Sequence, residues 1–597
     1  MTTAPSRAPG FAVFSSSSGH LARRRAERAA DAVGDATTIA ADEHTHVVLW
    51  GELRSHPLSE PIILGHGART RGADVGRVQT RRLLAGEDDL RQVLPAFAAV
   101  DWDEPMSRLR IVVDWLGMRH VYLAEDGEMS GASTSAAVLA RQPGTGAIDR
   151  DAIGVQSLLG WQLGDSTPFA RVTKMGPGLR TCVSRGELSS SGLPPLRSLD
   201  PLSATDAPHV AADLLSDFVS GYLDDHPDSV LQLTGGLDSR LLLAAIPRSR
   251  RSSVETMTLA VPGSPDLEIA ARLAADHRMR HHVVQMRGLG TVSDEDAWSL
   301  CAAAARDLDC AADPVALASL RWADTALPHR PRLAGLGGEV ARGFYYFGPP
   351  LKVGVSRTLA ATLAQWRLFP NDRVSPDALE PAFAAAATDL AVSEVHRALA
   401  AAGDDFWPAT DEFYLWQRMQ RWAGTLASAT CFDRDVVNPM LDAAFLQIAR
   451  ALSPHDKRNM RFLSRILVDL DPALADIPMD NRPAPRTYAR PTAANRARLG
   501  AVQSRKVIGK VRQRRSHTTR PPAGGEILAA KVVDHWRAHR EILDPVRELD
   551  MFRPSWLDDV VMGRRSADPS SVALLVNLVV ASGPVAAATA GSGSPRT

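Results

Sequence analysis

The sequence predicts an α/β protein of more than one domain, on three observations. Short strand-like segments fill the first 200 residues, strand and helix patterns alternate from about 205 to 290, and residues 350–475 are rich in Ala and Leu with few β-branched runs. At 597 residues, 45% hydrophobic and 23% charged, the chain has material for several buried cores and exceeds what one compact domain holds. We divide it at 200 and 480.

In the first region the segments HVVLWGEL, RLRIVVDW (108–115) and HVYLAEDGEMSGAS (120–133) read as sheet strands rather than long helices. Asp126-Gly127 inside the last of them is a hairpin turn, because both residues tolerate positive φ. The Ser-, Pro- and Asp-rich stretch 189–206 reads as a linker. Beyond it come an amphipathic helix over 211–226, a buried strand over 229–236 closed by two glycines, and a helix from 238. Strand, helix and strand follow over 254–262, 264–277 and 280–286, and PRLAGLGGEVARG (331–343) offers a later strand end with the same glycine habit. Such alternation predicts a parallel sheet covered by helices, with ligands beyond the carboxyl ends of the strands. Residues 350–475 read as a large helical part. From 481 to 525 there are twelve Arg or Lys and no Asp or Glu, with prolines that make part of the run a basic linker; a helical extension follows to 597.

Charge and cysteine usage narrow the function. The 68 Lys and Arg balance 68 Asp and Glu, so no overall field marks a nucleic-acid or anionic-membrane binder. Cys182, Cys301, Cys310 and Cys431 lie far apart with no CxxC pair, which suits a reducing interior and gives no zinc or disulfide framework. No uninterrupted apolar run reaches 18 residues; the nearest, VALLVNLVVASGPVAAATA, is broken by Asn577, Gly583 and Pro584. The expectation is a soluble cytoplasmic protein with no nucleic-acid or membrane partner.

The strongest local signal is Leu233-Thr234-Gly235-Gly236-Leu237-Asp238-Ser239-Arg240, which closes a strand and opens a helix. Paired glycines let backbone approach a phosphate, the Thr234 and Ser239 hydroxyls can donate to it, and the helix start adds N–H groups and a positive dipole end. Asp238 is then repelled unless a cation intervenes, and Mg²⁺ prefers a carboxylate and phosphate oxygens together. Nucleotide and metal therefore imply each other. The pattern is neither GxGxxG nor GxxxxGK[ST]; from spacing alone, an ordinary strand-to-helix turn with a capping Asp stays open.

TGGLDSR resembles the SGGxDS pyrophosphate loop of the asparagine-synthetase-like ATP pyrophosphatase superfamily, whose members cleave ATP to AMP and pyrophosphate while adenylating a carboxylate. Gly335-Leu336-Gly337-Gly338-Glu339 resembles the GxGxDE loop, with Glu339 at the place usually held by Asp; Asn438-Pro439-Met440-Leu441-Asp442 resembles the RxPFLD element. Ser453-Pro454-His455-Asp456-Lys457 resembles the segment that delivers a catalytic lysine. Together these imply a parallel-sheet domain of adenine nucleotide alpha hydrolase type over roughly 210–480. The first 200 residues resemble more weakly, through Gly51, Asp114, Gly117, Asp126-Gly127 and PFARVTKMGPG (168–178), the Ntn-hydrolase-like sandwich of the glutaminase domain. That domain needs a cysteine after the initiator Met as nucleophile, whereas the chain opens Met1-Thr2-Thr3. Glutamine hydrolysis is not expected.

Without that glutaminase, the resemblance points to relatives that close rings. β-Lactam synthetase places a Tyr where this chain has Leu336, and its Tyr–Glu dyad is absent as such. TGGLDSR with GLGGEVARGFYY (335–346) is more similar to lasso peptide cyclases, which adenylate an Asp or Glu side chain of a ribosomally made core peptide for attack by the peptide's own N-terminal amine. The resemblance implies ATP held by Leu233, Thr234, Gly235, Gly236, Asp238, Ser239, Leu259, Gly335 and Gly337, and Mg²⁺ held by Asp238 and Glu339. It implies Lys457 stabilising the tetrahedral oxygen, and a leader-peptide-binding protein and leader peptidase as partners. Arg240 is a candidate for assisting the leaving group, and Glu412 ranks before Tyr414 and Asp435 as base. Tyr345 and Tyr346 read equally as packing or as peptide-holding residues. The alternatives are a small-molecule amidoligase, of β-lactam type or an ammonia-dependent asparagine synthetase, and a noncatalytic peptide-binding scaffold.

Overall fold

A computed structural model describes residues 7–193, 203–260, 266–480 apart from 328, 349 and 350, 482–500 apart from 491, 496 and 498, and 524–583. Residues 194–202 of the expected linker and 501–523 of the basic run lie outside the described residues.

The first region holds two antiparallel sheets. Strands β1 (Gly10–Ser16), β2 (Ala36–Ala40), β3 (Thr45–Trp50), β7 (Tyr122–Asp126), β8 (Met129–Ser133) and β9 (Thr173–Lys174) form one, in the order β2-β3-β1-β8-β7-β9. The other runs β11 (Glu187–Ser191), β10 (Arg180–Ser184), β6 (Arg108–Val113), β5 (Ala98–Asp103), β4 (Ile62–Ile63). Successive side chains on a strand point to opposite faces, so a sheet covered on both sides must be apolar at successive positions. Phe11, Val13 and Leu49 face Val100, Leu109 and Ile111 of the other sheet. Their neighbours Ala12, Phe14 and Val48 meet Ala26 and Ala29 of helix Gly19–Val33, and Ala99 and Val112 meet Leu83 and Leu84 of helix Arg77–Ala85. The result is a helix-sheet-sheet-helix stack. The strand reading passed over both helices, because the first buries mainly small alanines and the second is nine residues long. The Asp126-Gly127 turn joins β7 to β8 antiparallel, with Gly127 at φ 53°.

The second region is built on a five-stranded parallel sheet: β14 (His281–Gln285), β13 (Glu255–Ala260), β12 (Val230–Gln232), β15 (Arg332–Leu333), β16 (Val436–Val437), in that order. Helices Ala207–Asp225, Asp238–Ala245 and Asp266–Asp276 alternate with its strands as the periodicity predicts. Strand β16 falls in the stretch read as helical; two residues are too short to show a period. The helical part includes Pro381–Ala402 and a second run that begins as helix Phe406–Phe413, widens to π-helical geometry over Tyr414–Ala423 and ends as helix Gly424–Thr430. Trp115, Leu116 and Leu158 share one core with Leu237, Phe413 and Leu415, so the antiparallel layers and the parallel sheet meet through packed side chains.

Helices Gly525–Ala538, Pro554–Val561 and Pro569–Ser582 pack with Asp294–Asp307 around a separate core that includes Leu528, Trp536, Leu557, Leu575 and Ala304. The described part of the apolar tail is thus the helix Pro569–Ser582, buried over Ser571–Leu578; Asn577 Nδ2 donates to Ala312 O at 2.8 Å. Among the described residues no helix is long and apolar enough to cross a membrane.

Candidate active site

Strand β12 ends against β13, where Leu233 N donates to Met257 O at 2.9 Å, and the chain then turns into helix Asp238–Ala245. The turn is held from within. Thr234 N donates to Ser239 Oγ at 3.1 Å, the two hydroxyls stand 3.0 Å apart, and Gly236 N donates to Thr234 Oγ1 at 3.1 Å. Both hydroxyls, expected to face a ligand, are therefore engaged in shaping the loop. Gly235 N donates to Asp266 Oδ1 at 3.1 Å, and a Cβ on Gly235 would come within 2.8 Å of that oxygen.

The loop after β15 packs on this helix start. A Cβ on Gly335 would lie 3.0 Å from the Asp238 carbonyl carbon, and one on Gly338 would lie 2.5 Å from Asp238 Oδ1. Gly337, at φ 110°, turns the chain so that its N–H donates to Glu339 Oε2 at 3.2 Å. These contacts bring Asp238 and Glu339, about a hundred residues apart in sequence, to one guanidinium. Arg342 Nη1 donates to Asp238 Oδ2 at 2.6 Å, and Nη2 to Glu339 Oε1 at 3.0 Å. Burial pushes the Glu339 carboxyl up, Arg342 opposes that shift and the Asp238 charge adds to it. Arg342 was not singled out in the sequence, although it sits three residues after Glu339, on the same side of a helical turn.

The donor set fits a hard cation that arrives with other oxygen ligands. Asp238 Oδ1 is buried without a hydrogen-bond partner, while no three His, Cys, Asp or Glu converge as a metal cage among the described residues. Two carboxylates plus polyphosphate oxygens and water is the arrangement Mg²⁺ favours.

Asp238 also lines a cavity of about 830 Å³. It is lined by Thr234, Gly236 and Asp266, by the aromatic Phe344, Tyr346 and Trp366, and by Arg458, Met460, Arg482 and Tyr488. The described start of the basic run thus contributes to the wall, while no residue from 524 to 583 lines it.

Lys457 is 2% exposed and stands behind this wall rather than in its lining. Its Nζ donates to Asp411 Oδ2 at 2.5 Å, and Tyr346 Oη, which reaches the cavity, donates to the same oxygen at 2.7 Å. Burial raises the Asp411 carboxyl and the Lys457 charge opposes the rise. Two and three residues further on, Asn459 and Met460 line the cavity with φ of 58° and 60°, a left-handed pair without glycine.

Several expected residues take other places. Glu412 accepts from Arg450 at 2.6 and 2.9 Å and from Trp416 at 2.8 Å, so Asp411, and not Glu412, is the carboxylate at Lys457. Adjacent helical residues point about 100° apart, and periodicity without depth does not choose between them. Asp435 precedes β16, at the opposite end of the parallel strands, where it shares a small cavity with Tyr222 and His226. Tyr414 packs on Phe344 and Tyr345, with ring centres 5.0 and 5.5 Å away. Of the tyrosine pair, Tyr345 is core and Tyr346 is wall. Arg240 is fully buried; it donates to Gly235 O at 3.3 Å, Leu474 O at 3.4 Å and Pro478 O at 3.1 Å, and burial lowers its pKa to about 10. It braces the loop and is absent from the lining. Leu233, Gly235 and Ser239 are buried beneath the loop, and Leu259, near the end of β13, is partly buried against the second core.

Of three comparisons with known proteins, one bears on this geometry. No curated protein matches the chain significantly. Among matching solved structures is the NH3-dependent NAD synthetase from Campylobacter jejuni subsp. jejuni NCTC 11168 in complex with the nitrate ion, at 16% identity and a TM-score of 0.16, covering 24% of this chain. This chain spans 62% of that one. Residues 211–317, which include the Thr234–Arg240 turn, match the asparagine synthase family. That region therefore resembles the asparagine-synthetase superfamily of ATP-using enzymes.

Proposed function

We propose that the chain is an ATP-dependent amide ligase that closes a macrolactam in a ribosomally made peptide of the lasso type. It would transfer AMP from ATP to an Asp or Glu side chain with release of pyrophosphate, then let the peptide's N-terminal amine displace AMP. The observation that carries the ligase reading is the meeting of Asp238 and Glu339 on Arg342 beside a glycine turn at the carboxyl end of β12. Magnesium bound with the triphosphate would neutralise the departing pyrophosphate. Asp238 and Glu339 would hold it, and Gly236 with the start of helix Asp238–Ala245 would meet the phosphates through backbone N–H groups. Arg342 would balance the two carboxylates in the free enzyme. Lys457, paired with Asp411, would place its ammonium toward the reacting carbon when the Asn459–Met460 segment and Tyr346 rearrange around a peptide.

A peptide substrate is favoured by the size of the cavity and by its aromatic wall, Phe344, Tyr346, Phe347 and Trp366, where a folded segment could be held and water kept from the activated carboxyl. Holding amine and carboxyl together would lower the barrier by several kcal/mol. In this reading the N-terminal layers are a glutaminase-like domain without its cysteine, so the amine comes from the peptide. A leader-binding protein and a leader peptidase would supply that peptide. The test is ATP–pyrophosphate exchange with Mg²⁺ and a core peptide, with mass spectrometry of the product. Peptide-dependent exchange and a product lighter by one water are expected. Exchange with aspartate and ammonia but not with peptide would replace the cyclase by a small-molecule ligase, and exchange unchanged in Asp238→Ala would remove the metal assignment.

A further inference from the structure

The large cavity carries more positive charge than its glycine turn uses. Four arginines and three aspartates line it, and most of them are already engaged. Arg342 is spent on Asp238 and Glu339, Asp266 accepts from Gly235 N at 3.1 Å, and Asp480 has a partner of its own. Arg367 donates to the Phe344 carbonyl and lies over that ring at 5.5 Å. Arg458 and Arg482 remain. Among the described residues no carboxylate pairs with either one. Arg482 is exposed, and its Nη1 reaches Met460 Sδ at 3.5 Å. Arg458 is half-buried and its guanidinium makes no hydrogen bond among the described residues, yet none of its nitrogens is enclosed, so its donors stay open to what fills the cavity. Burial lowers its pKa with no acid to oppose the shift. Met460 joins the two arginines, since it follows Arg458 by two residues and meets Arg482. A guanidinium drawn partly out of water without an acceptor is costly, and an oxyanion that takes two of its N–H groups removes that cost.

We propose that Arg458, assisted by Arg482, holds a second carboxylate of the peptide substrate, one that takes no part in ring closure: its C-terminus or an acidic side chain. The inference deepens the ligase reading above and rests on it for the ligand being a peptide. Triphosphate oxygens have other partners, the backbone N–H groups of the glycine turn and the metal between Asp238 and Glu339. The carboxylate to be activated is not the one held here either. A guanidinium fork stabilises a carboxylate as the anion and so makes it a poorer nucleophile toward phosphorus, and adenylation removes the very charge the fork grips. A spectator carboxylate keeps its charge through both steps. Because Arg458 directly follows Lys457, an anion held there anchors the peptide beside the lysine that serves the reacting carbon. Arg458 is thus a positioning residue that selects peptides with a carboxylate to spare.

The test is calorimetric titration of the full chain, without nucleotide or metal, with three probes at equal ionic strength. These are N-acetyl-Phe-Gly with a free C-terminus, N-acetyl-Phe-Gly amide with no carboxylate, and N-acetyl-Phe-Asp amide, whose one carboxylate is a side chain. Saturable heat is expected from a carboxylate probe and none from the probe without one, and the tighter of the two carboxylate probes tells terminus from side chain. Affinity should fall about tenfold in Arg458→Gln and about threefold in Arg482→Gln, which decides alone should Arg458→Gln not fold. No heat from any probe, equal heat from all three, or an affinity unchanged in these variants overturns the proposal. So does an affinity for MgATP about tenfold weaker in Arg458→Gln with probe binding unchanged, which would give the arginine to the nucleotide. Since the titration uses no ATP, it stands apart from pyrophosphate exchange: carboxylate binding lost in Arg458→Gln but no exchange with any peptide would remove the ligase reading and leave the carboxylate site.

Discussion

Arg342 holds Asp238 at 2.6 Å and Glu339 at 3.0 Å, so one cation balances two carboxylates brought from the ends of two adjacent parallel strands. Replacing it with Met leaves both acids facing each other in a site that is less than a fifth exposed. In metal-free urea unfolding, Arg342→Met should cost roughly 3 kcal/mol. Mg²⁺ with ATP should then restore more stability to the variant than it adds to the wild type.

Lys457 and Asp411 form a buried pair, 2% and 3% exposed. Lys457→Met and Asp411→Asn should each cost about 3–5 kcal/mol, because each strands a charge or donor inside the protein. The double variant should lose less than the sum, which a double-mutant cycle measures directly. Lys457→Arg should not restore activity, since the enclosed space was shaped by an ammonium on a slender stem.

Gly338 is the position where the second loop touches Asp238 most closely. Gly338→Ala would drive a Cβ to 2.5 Å from Asp238 Oδ1, and ATP–pyrophosphate exchange should fall at least about tenfold while the far-ultraviolet spectrum is kept. Gly290→Ala is the control, because nothing lies within 4 Å of its added carbon.

Asp309 gives the clearest dependence on pH. Burial, opposed by Arg7, holds its carboxyl at about 6, well above about 3.9 in an unfolded chain. The folded state therefore keeps a proton that the unfolded state has lost between those values, and raising pH through that window destabilises the wild type. Asparagine accepts the local φ of 48° and does not titrate. Asp309→Asn should gain about 2–3 kcal/mol relative to wild type between pH 4 and pH 7 in chemical unfolding.

What could be read from the sequence was local. The strand, two glycines and helix around Thr234–Asp238 are consecutive, so their spacing states the turn, and the alternation over 229–286 states the parallel sheet. Glu412 and Asp411 show the limit: one helical step decides which acid meets Lys457, and the helix around them is apolar on more than one face. Arg240 shows another, since a basic residue in a phosphate-type loop looks free until the carbonyls of Leu474, Ile477 and Pro478 close on it. The cavity wall was out of reach for a different reason. It is assembled from residues near 344, 366, 458 and 488, and no window of sequence contains two of those positions.

Helix Pro569–Ser582 touches both Asp294–Asp307 and, across the molecule, Arg150–Leu159. During synthesis those partners emerge hundreds of residues earlier and must wait with Ala304 and Ile153 uncovered. The protein can complete its fold only once nearly the whole polypeptide has left the ribosome, and a shortened chain ending before 524 should collect in inclusion bodies rather than persist as a smaller enzyme.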